Sequence, residues 1–127
     1  MLCTHAPAPV RYPVPTVQVV HDIQVCDLPE NFPPARRAYL LRGLRTSARR
    51  AAHLIASSEF TRQRLMVTFR LPESRVSTVH LAASGEYCPR GAEEIAAVRA
   101  RYGLEHPYLL YLSTANKNKQ FDRLVRA

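Results

Sequence analysis

The chain has 127 residues, 46% of them hydrophobic and 22% charged, with a formal net charge of +8. That is long enough for one small domain and too apolar for wholesale disorder, and no run approaches the roughly 20 apolar residues that span a bilayer. The cysteines, Cys3, Cys26 and Cys88, are odd in number and widely spaced, which excludes a disulfide framework or CxxC zinc pair and points to a reducing cytoplasm. His5, His21, His53, His80 and His106 are too scattered to support a metal site. The excess positive charge suits an anionic partner: nucleic acid, a membrane surface or a phosphorylated small molecule.

Residues 1–16 carry Pro7, Pro9, Pro13 and Pro15 and read as an irregular loop. They have neither the basic start nor the apolar stretch of a secretory signal. Next, Val17, Val19 and Val20 predict a strand of a parallel sheet, buried on both faces. His21 and Asp22 then fall at its carboxyl end, the edge where open α/β sheets place their ligands. The plainer alternative is that Asp22 turns the following loop and His21 is a polar strand end.

Ile23 to Pro34 reads as a loop whose tandem prolines, Pro33 and Pro34, fit a helix start. The spacing predicts a helix from about Pro34 to Ala52, with Leu40, Leu44, Ala48 and Ala51 as its buried stripe. Arg42, Arg45 and Arg49 lie nearly opposite, as a solvated face or as a surface for nucleic acid or lipid headgroups. His53–Ala56 is a short strand, Ser57 or Ser58 caps a helix running to about Phe69, and Val76–His80 is a third strand. Strand–helix–strand–helix–strand is the order of an α/β fold with parallel strands and crossover helices.

Ala83–Gly91 breaks this regularity. A helix follows from about Ala92 to Tyr102, with Ile95, Val98 and Tyr102 on one face and Gly103 as its stop. Pro107–Leu112 predicts a buried strand, Ser113–Lys119 a polar turn, and Phe121 a new helix. That strand has no later strand to pair with, so Leu109, Leu110, Leu112 and Leu124 lack a core. The chain therefore reads as a fragment of something longer.

Taken in order, these segments resemble a retaining glycosyltransferase of family 4. The resemblance rests on Val17-Gln-Val-Val-His-Asp-Ile-Gln24, Leu28-Pro-Glu-Asn-Phe-Pro33, the run Ala48–Thr61, the run Pro72–His80, and Tyr108–Thr114 with Lys119. It implies a partial GT-B architecture, pieces of two Rossmann-like domains facing each other across a cleft. Residues 1–86 would be the last part of the N-terminal, acceptor-side domain, and residues 87–127 the linker and truncated start of the C-terminal, donor-side domain.

The partners it implies are a nucleotide-sugar donor, bound as substrate with no further cofactor, and a glycan, lipid or small-molecule acceptor. By the same resemblance, His21 contacts the donor sugar, Asp22 orients that histidine or its loop, and Lys119 pairs with the donor pyrophosphate, with Ser113 and Thr114 beside it. Ser113 and Thr114 stand where many members have glycine and arginine, which removes one phosphate-binding cation. The family's Asn-Gly turn falls here at Leu81-Ala82, and the glycine-rich loop and spaced glutamates fall outside the chain.

A fragment lacking those parts is expected to be inactive alone. Its expected location is the cytoplasm, with a peripheral contact at the inner membrane surface if the acceptor is lipid-borne. The alternative is a small basic module that binds nucleic acid or anionic lipid through the arginine-rich helix 34–52. No aromatic stacking platform accompanies those arginines, so nucleic acid is not the expected partner.

Overall fold

A computed structural model describes residues 1–4, 14–114 and 119–127. The proline-rich stretch 5–13 and the turn 115–118 lie outside the described residues. The chain divides into two units, Met1–Leu81 and Ala82–Ala127.

The first unit is built on a parallel sheet of four strands: β1 (Leu2–Cys3), β2 (Val17–Val20), β3 (His53–Ala56) and β4 (Val76–Thr78), adjacent in chain order. Helices α1 (Gln24–Asp27) and α2 (Pro34–Arg50) cross from β2 to β3, and α3 (Glu59–Phe69) crosses from β3 to β4. The α/β class with parallel strands and crossover helices is thus what the chain adopts. When strands are added in order with crossovers of one hand, successive helices fall on one face. Here α2 and α3 do contact each other.

Burial follows the pairing register. Val20, Leu54, Ala56 and Val76 share the face covered by Leu44 of α2 and Leu65 of α3, and all are buried. Gln18 lies on that same face and is fully buried, its amide donating to the Val19 carbonyl at 2.8 Å. Val17, Val19 and Ile55 point to the other face and are only half-buried. The expectation that β2 is buried on both faces is therefore corrected: within this unit the sheet is fully covered on one.

Several local readings hold and others need adjusting. Pro34 opens α2 as its first helical residue, where the missing N–H costs nothing. Leu44 and Ala48 are buried as predicted, and Arg42, Arg45 and Arg49 are exposed. The segment 1–16 is not all loop, because Leu2–Cys3 forms an edge strand and the Met1 ammonium donates to the Pro15 carbonyl at 2.8 Å. Two residues are too short a run to show any periodicity. The segment after β2 is likewise not all loop: it holds α1 and a single 3-10 turn, Pro29–Asn31.

In the second unit, α4 (Ala92–Tyr102) ends at Gly103, whose φ of 62° suits a residue without Cβ, and α5 is Phe121–Arg126. Pro107–Leu112 forms no strand, and Leu109 is 92% exposed. Among the described residues of this unit there is no strand at all, so nothing can satisfy the backbone groups of a parallel neighbour. No helix among the described residues is long and apolar enough to cross a membrane.

Candidate functional site

Register puts the ends of three strands side by side. Val20 pairs with Ala56, and Ala56 with Thr78, so whatever follows these residues shares the carboxyl edge of the sheet. His21 and Asp22 follow β2, Ser57, Ser58 and Glu59 follow β3, and Thr78 ends β4.

His21 is anchored by its backbone and free at its ring. The Ser57 hydroxyl donates to the His21 carbonyl at 2.8 Å, and the Thr61 hydroxyl does so at 3.3 Å. The imidazole is exposed, with no hydrogen-bond partner among the described residues. A neutral imidazole offers one donor and one acceptor, both of which remain available to a ligand here. Asp22 is exposed too, and its Oδ1 accepts the Gln24 N–H at 3.0 Å, which turns the chain into α1. It shapes the loop and makes no bond to the His21 ring.

Ser58 caps α3, its Oγ accepting the Thr61 N–H at 3.1 Å. Glu59 then reaches across to β4. The Thr78 hydroxyl donates to Glu59 Oε2 at 2.9 Å and Arg62 Nη1 to Oε1 at 2.8 Å. The Thr78 bond first, and the Arg62 bond second, hold the Glu59 carboxyl below the usual glutamate range. Arg62 also pairs with Glu73 and donates from Nε to the Val76 carbonyl at 3.1 Å. Glu59 and Glu73 together push the guanidinium pKa up. One charged network thus ties the start of α3 to β4.

Thr61 and Thr78 are the site members that sequence reasoning does not single out. Thr61 had a signal, since it sits three residues after the Ser58 cap and faces back toward it. Thr78 had none, because only the register shows that it ends beside Ala56. The other histidine of the sheet, His53, lies at the amino end of β3 and its Nε2 is 2.8 Å from Ser77 Oγ, away from this edge.

The remaining predicted residues belong to the second unit. Ser113, Thr114 and Lys119 are exposed. The Tyr111 hydroxyl donates to the Lys119 carbonyl at 2.8 Å, and the Tyr111 ring stacks on Phe121 with centroids 5.2 Å apart. These contacts bring Lys119 back to the segment that precedes Ser113 and Thr114. The structure thus groups His21 with Asp22 in one unit, and Ser113, Thr114 and Lys119 in the other. Among the described residues no three His, Cys, Asp or Glu side chains are placed to share a metal ion.

No family model matches the chain, and no solved structure does. The chain is similar to the O-antigen chain mannosyltransferase B of Escherichia coli, with 32% identity over 112 residues. The match takes in 87% of this chain but 29% of that protein, so the chain spans under a third of its relative's length.

Proposed function

We propose that the chain is the inner portion of a retaining family-4 glycosyltransferase with GT-B architecture. Residues 1–86 close its acceptor-side domain, and residues 87–127 open its donor-side domain. The reaction is transfer of mannose, or a related hexose, from a nucleotide-activated donor to a growing glycan or lipid-borne acceptor. The observation that carries this reading is the similarity to a mannosyltransferase along 87% of the chain. A histidine with an anchored backbone and an open ring at the carboxyl edge supports it.

In this reading the His21 ring binds a hydroxyl of the donor sugar or steadies charge on the departing phosphate. Asp22 acts by setting the loop that presents His21, through its bond to the Gln24 N–H. Lys119 supplies a flexible point charge to the pyrophosphate, and Ser113 and Thr114 offer hydroxyl donors beside it. The isolated 127-residue chain is inactive, because the glycine-rich loop and the donor-binding glutamates of the family fall outside it.

Reading the DNA on either side tests the first half of the proposal. In-frame continuation that supplies a glycine-rich turn upstream and paired glutamates downstream is the expected result. In-frame stops on both sides, with cooperative unfolding of a compact 127-residue monomer, would overturn it. The second half is tested with the continuous protein, by following labelled mannose from a nucleotide donor into glycan. His21→Ala should lower transfer about a hundredfold or more with the fold intact, as removal of one transition-state hydrogen-bonding group does. Unchanged transfer would remove His21 from the reaction.

A further inference from the structure

Between α2 and α3, from Cys26 of α1 to the turn that leads α3 into β4, the first unit holds a cavity of about 490 Å³. Arg45, Arg49, Arg70 and Arg75 line it, with Phe69 and Leu71 among its apolar walls. No carboxylate lines it among the described residues.

Arginines near helix carboxyl ends have an ordinary use, since they complement the dipole within the last turn. Arg75 does this: its Nη2 donates to the Ala48 carbonyl at 3.4 Å and to the Ala51 carbonyl, closing the end of α2. Two observations go beyond that use. Arg70 adopts the left-handed conformation, φ 54°, at the end of α3, where glycine avoids a steric cost. The backbone thus gives no reason for an arginine there. Second, Arg45, Arg49 and Arg70, all exposed, make no ion pair among the described residues, although four guanidinium groups line one space.

Guanidinium forks match phosphate oxygens in charge and in geometry. We infer that this cavity is a phosphate-binding site, separate from the carboxyl-edge site that carries His21. The phosphate belongs either to a small molecule or to a lipid headgroup. The apolar wall at Phe69 and Leu71 accepts the carbon part of either. The assignment does not depend on the glycosyl-transfer reading.

The test is titration of the 127-residue chain with inorganic phosphate at constant ionic strength, followed by calorimetry. The variants are Arg49→Ala, Arg70→Gly and, as a control of equal charge loss outside the cavity, Arg36→Ala. Saturable binding is expected, weakened about fivefold or more by Arg49→Ala and Arg70→Gly and left unchanged by Arg36→Ala. Arg70→Gly should also melt no lower than the parent, since glycine suits that backbone, which separates ligand loss from misfolding. Sedimentation with phosphatidylcholine vesicles, with and without phosphatidylglycerol, then identifies the source. Pelleting only with phosphatidylglycerol, lost in the same two variants, assigns the site to a headgroup. Phosphate binding without pelleting assigns it to a soluble phosphate. No saturable phosphate binding, equal affinity in the parent and both cavity variants, or equal weakening by Arg36→Ala, overturns the proposal.

Discussion

The two units contain helices of the same design with opposite fates. In α2 the apolar stripe meets a sheet, and Leu44 and Ala48 are 4% and 2% exposed. In α4 the stripe is just as regular, yet Ile95, Val98 and Tyr102 are 48%, 51% and 65% exposed. Periodicity decides that a helix forms and which side is apolar. Whether that side stabilises anything depends on a partner surface, which the sheet provides in the first unit. In the second unit, the capping glycine and the helix's own backbone hydrogen bonds are left to hold the helix.

The largest expected effect sharpens this contrast directly. Leu54→Ala removes a side chain that is 0% exposed at the centre of the sheet and should cost about 2–5 kcal/mol. Leu109→Ala trims a residue of equal size that is 92% exposed and should cost less than about 0.5 kcal/mol. Urea denaturation followed by circular dichroism compares the two variants. Similar losses would mean that the leucines after α4 are packed after all.

Next in size is the cap. Ser58 accepts the Thr61 N–H and donates its hydroxyl to Thr61 Oγ1, and Thr61 in turn donates to the His21 carbonyl. Ser58→Ala should cost about 1 kcal/mol. Because Thr61 also binds the His21 carbonyl, amide exchange should speed up at His21 and Asp22 as well as in α3. Exchange confined to α3 would show that the loop is held independently.

The same contrast explains what could be read in the sequence. β2, β3, α2 and α3 were legible because each has a pattern that its surroundings reinforce: alternating or continuous apolar residues, a proline start, a serine cap. The strand expected at Pro107–Leu112 was legible by the same signs, and it did not form, because a strand is completed only by a neighbour and composition says nothing of one. For the site, His21 and Asp22 were findable as the polar end of an apolar run. Thr78 was not, since its approach to Glu59 is a product of strand register, and register is a property of pairs. The edge strand Leu2–Cys3 was hidden for a similar reason: its only evidence is its pairing to Val17 and Gln18.

A pH experiment reads the network at the sheet edge. The Glu59 carboxyl lies below its ordinary range because the Thr78 hydroxyl, then Arg62, bond to its charged form. The folded chain therefore binds that proton more weakly than the unfolded chain. The contribution is complete above the usual glutamate range and is lost as pH falls through the folded value. Thr78→Val should move the Glu59 midpoint upward in an NMR titration, and an unmoved midpoint would transfer the cause to Arg62. In the second unit the Arg90–Glu94 pair is exposed and 3.9 Å apart, and Glu94→Gln should leave stability unchanged.

The smallest effect asks whether the second unit can be improved where it is weakest. The N-cap of α4 is Gly91, which has no side chain to accept the first N–H groups, although Glu93 and Glu94 already complement the dipole. Gly91 has an extended backbone, φ −65° and ψ 159°, and a Cβ built there meets nothing within 4 Å. Gly91→Ser should therefore add the missing acceptor without strain and stabilise α4 by a few tenths of a kcal/mol. A gain of that size is invisible in a helix already locked by a core and visible in one that frays. Slower amide exchange at Glu93 and Glu94, with α2 and α3 unchanged, is the expected result. No change in α4 would mean that its ends are already fixed by contacts, and the difference between the two helices would then be one of solvent exposure alone.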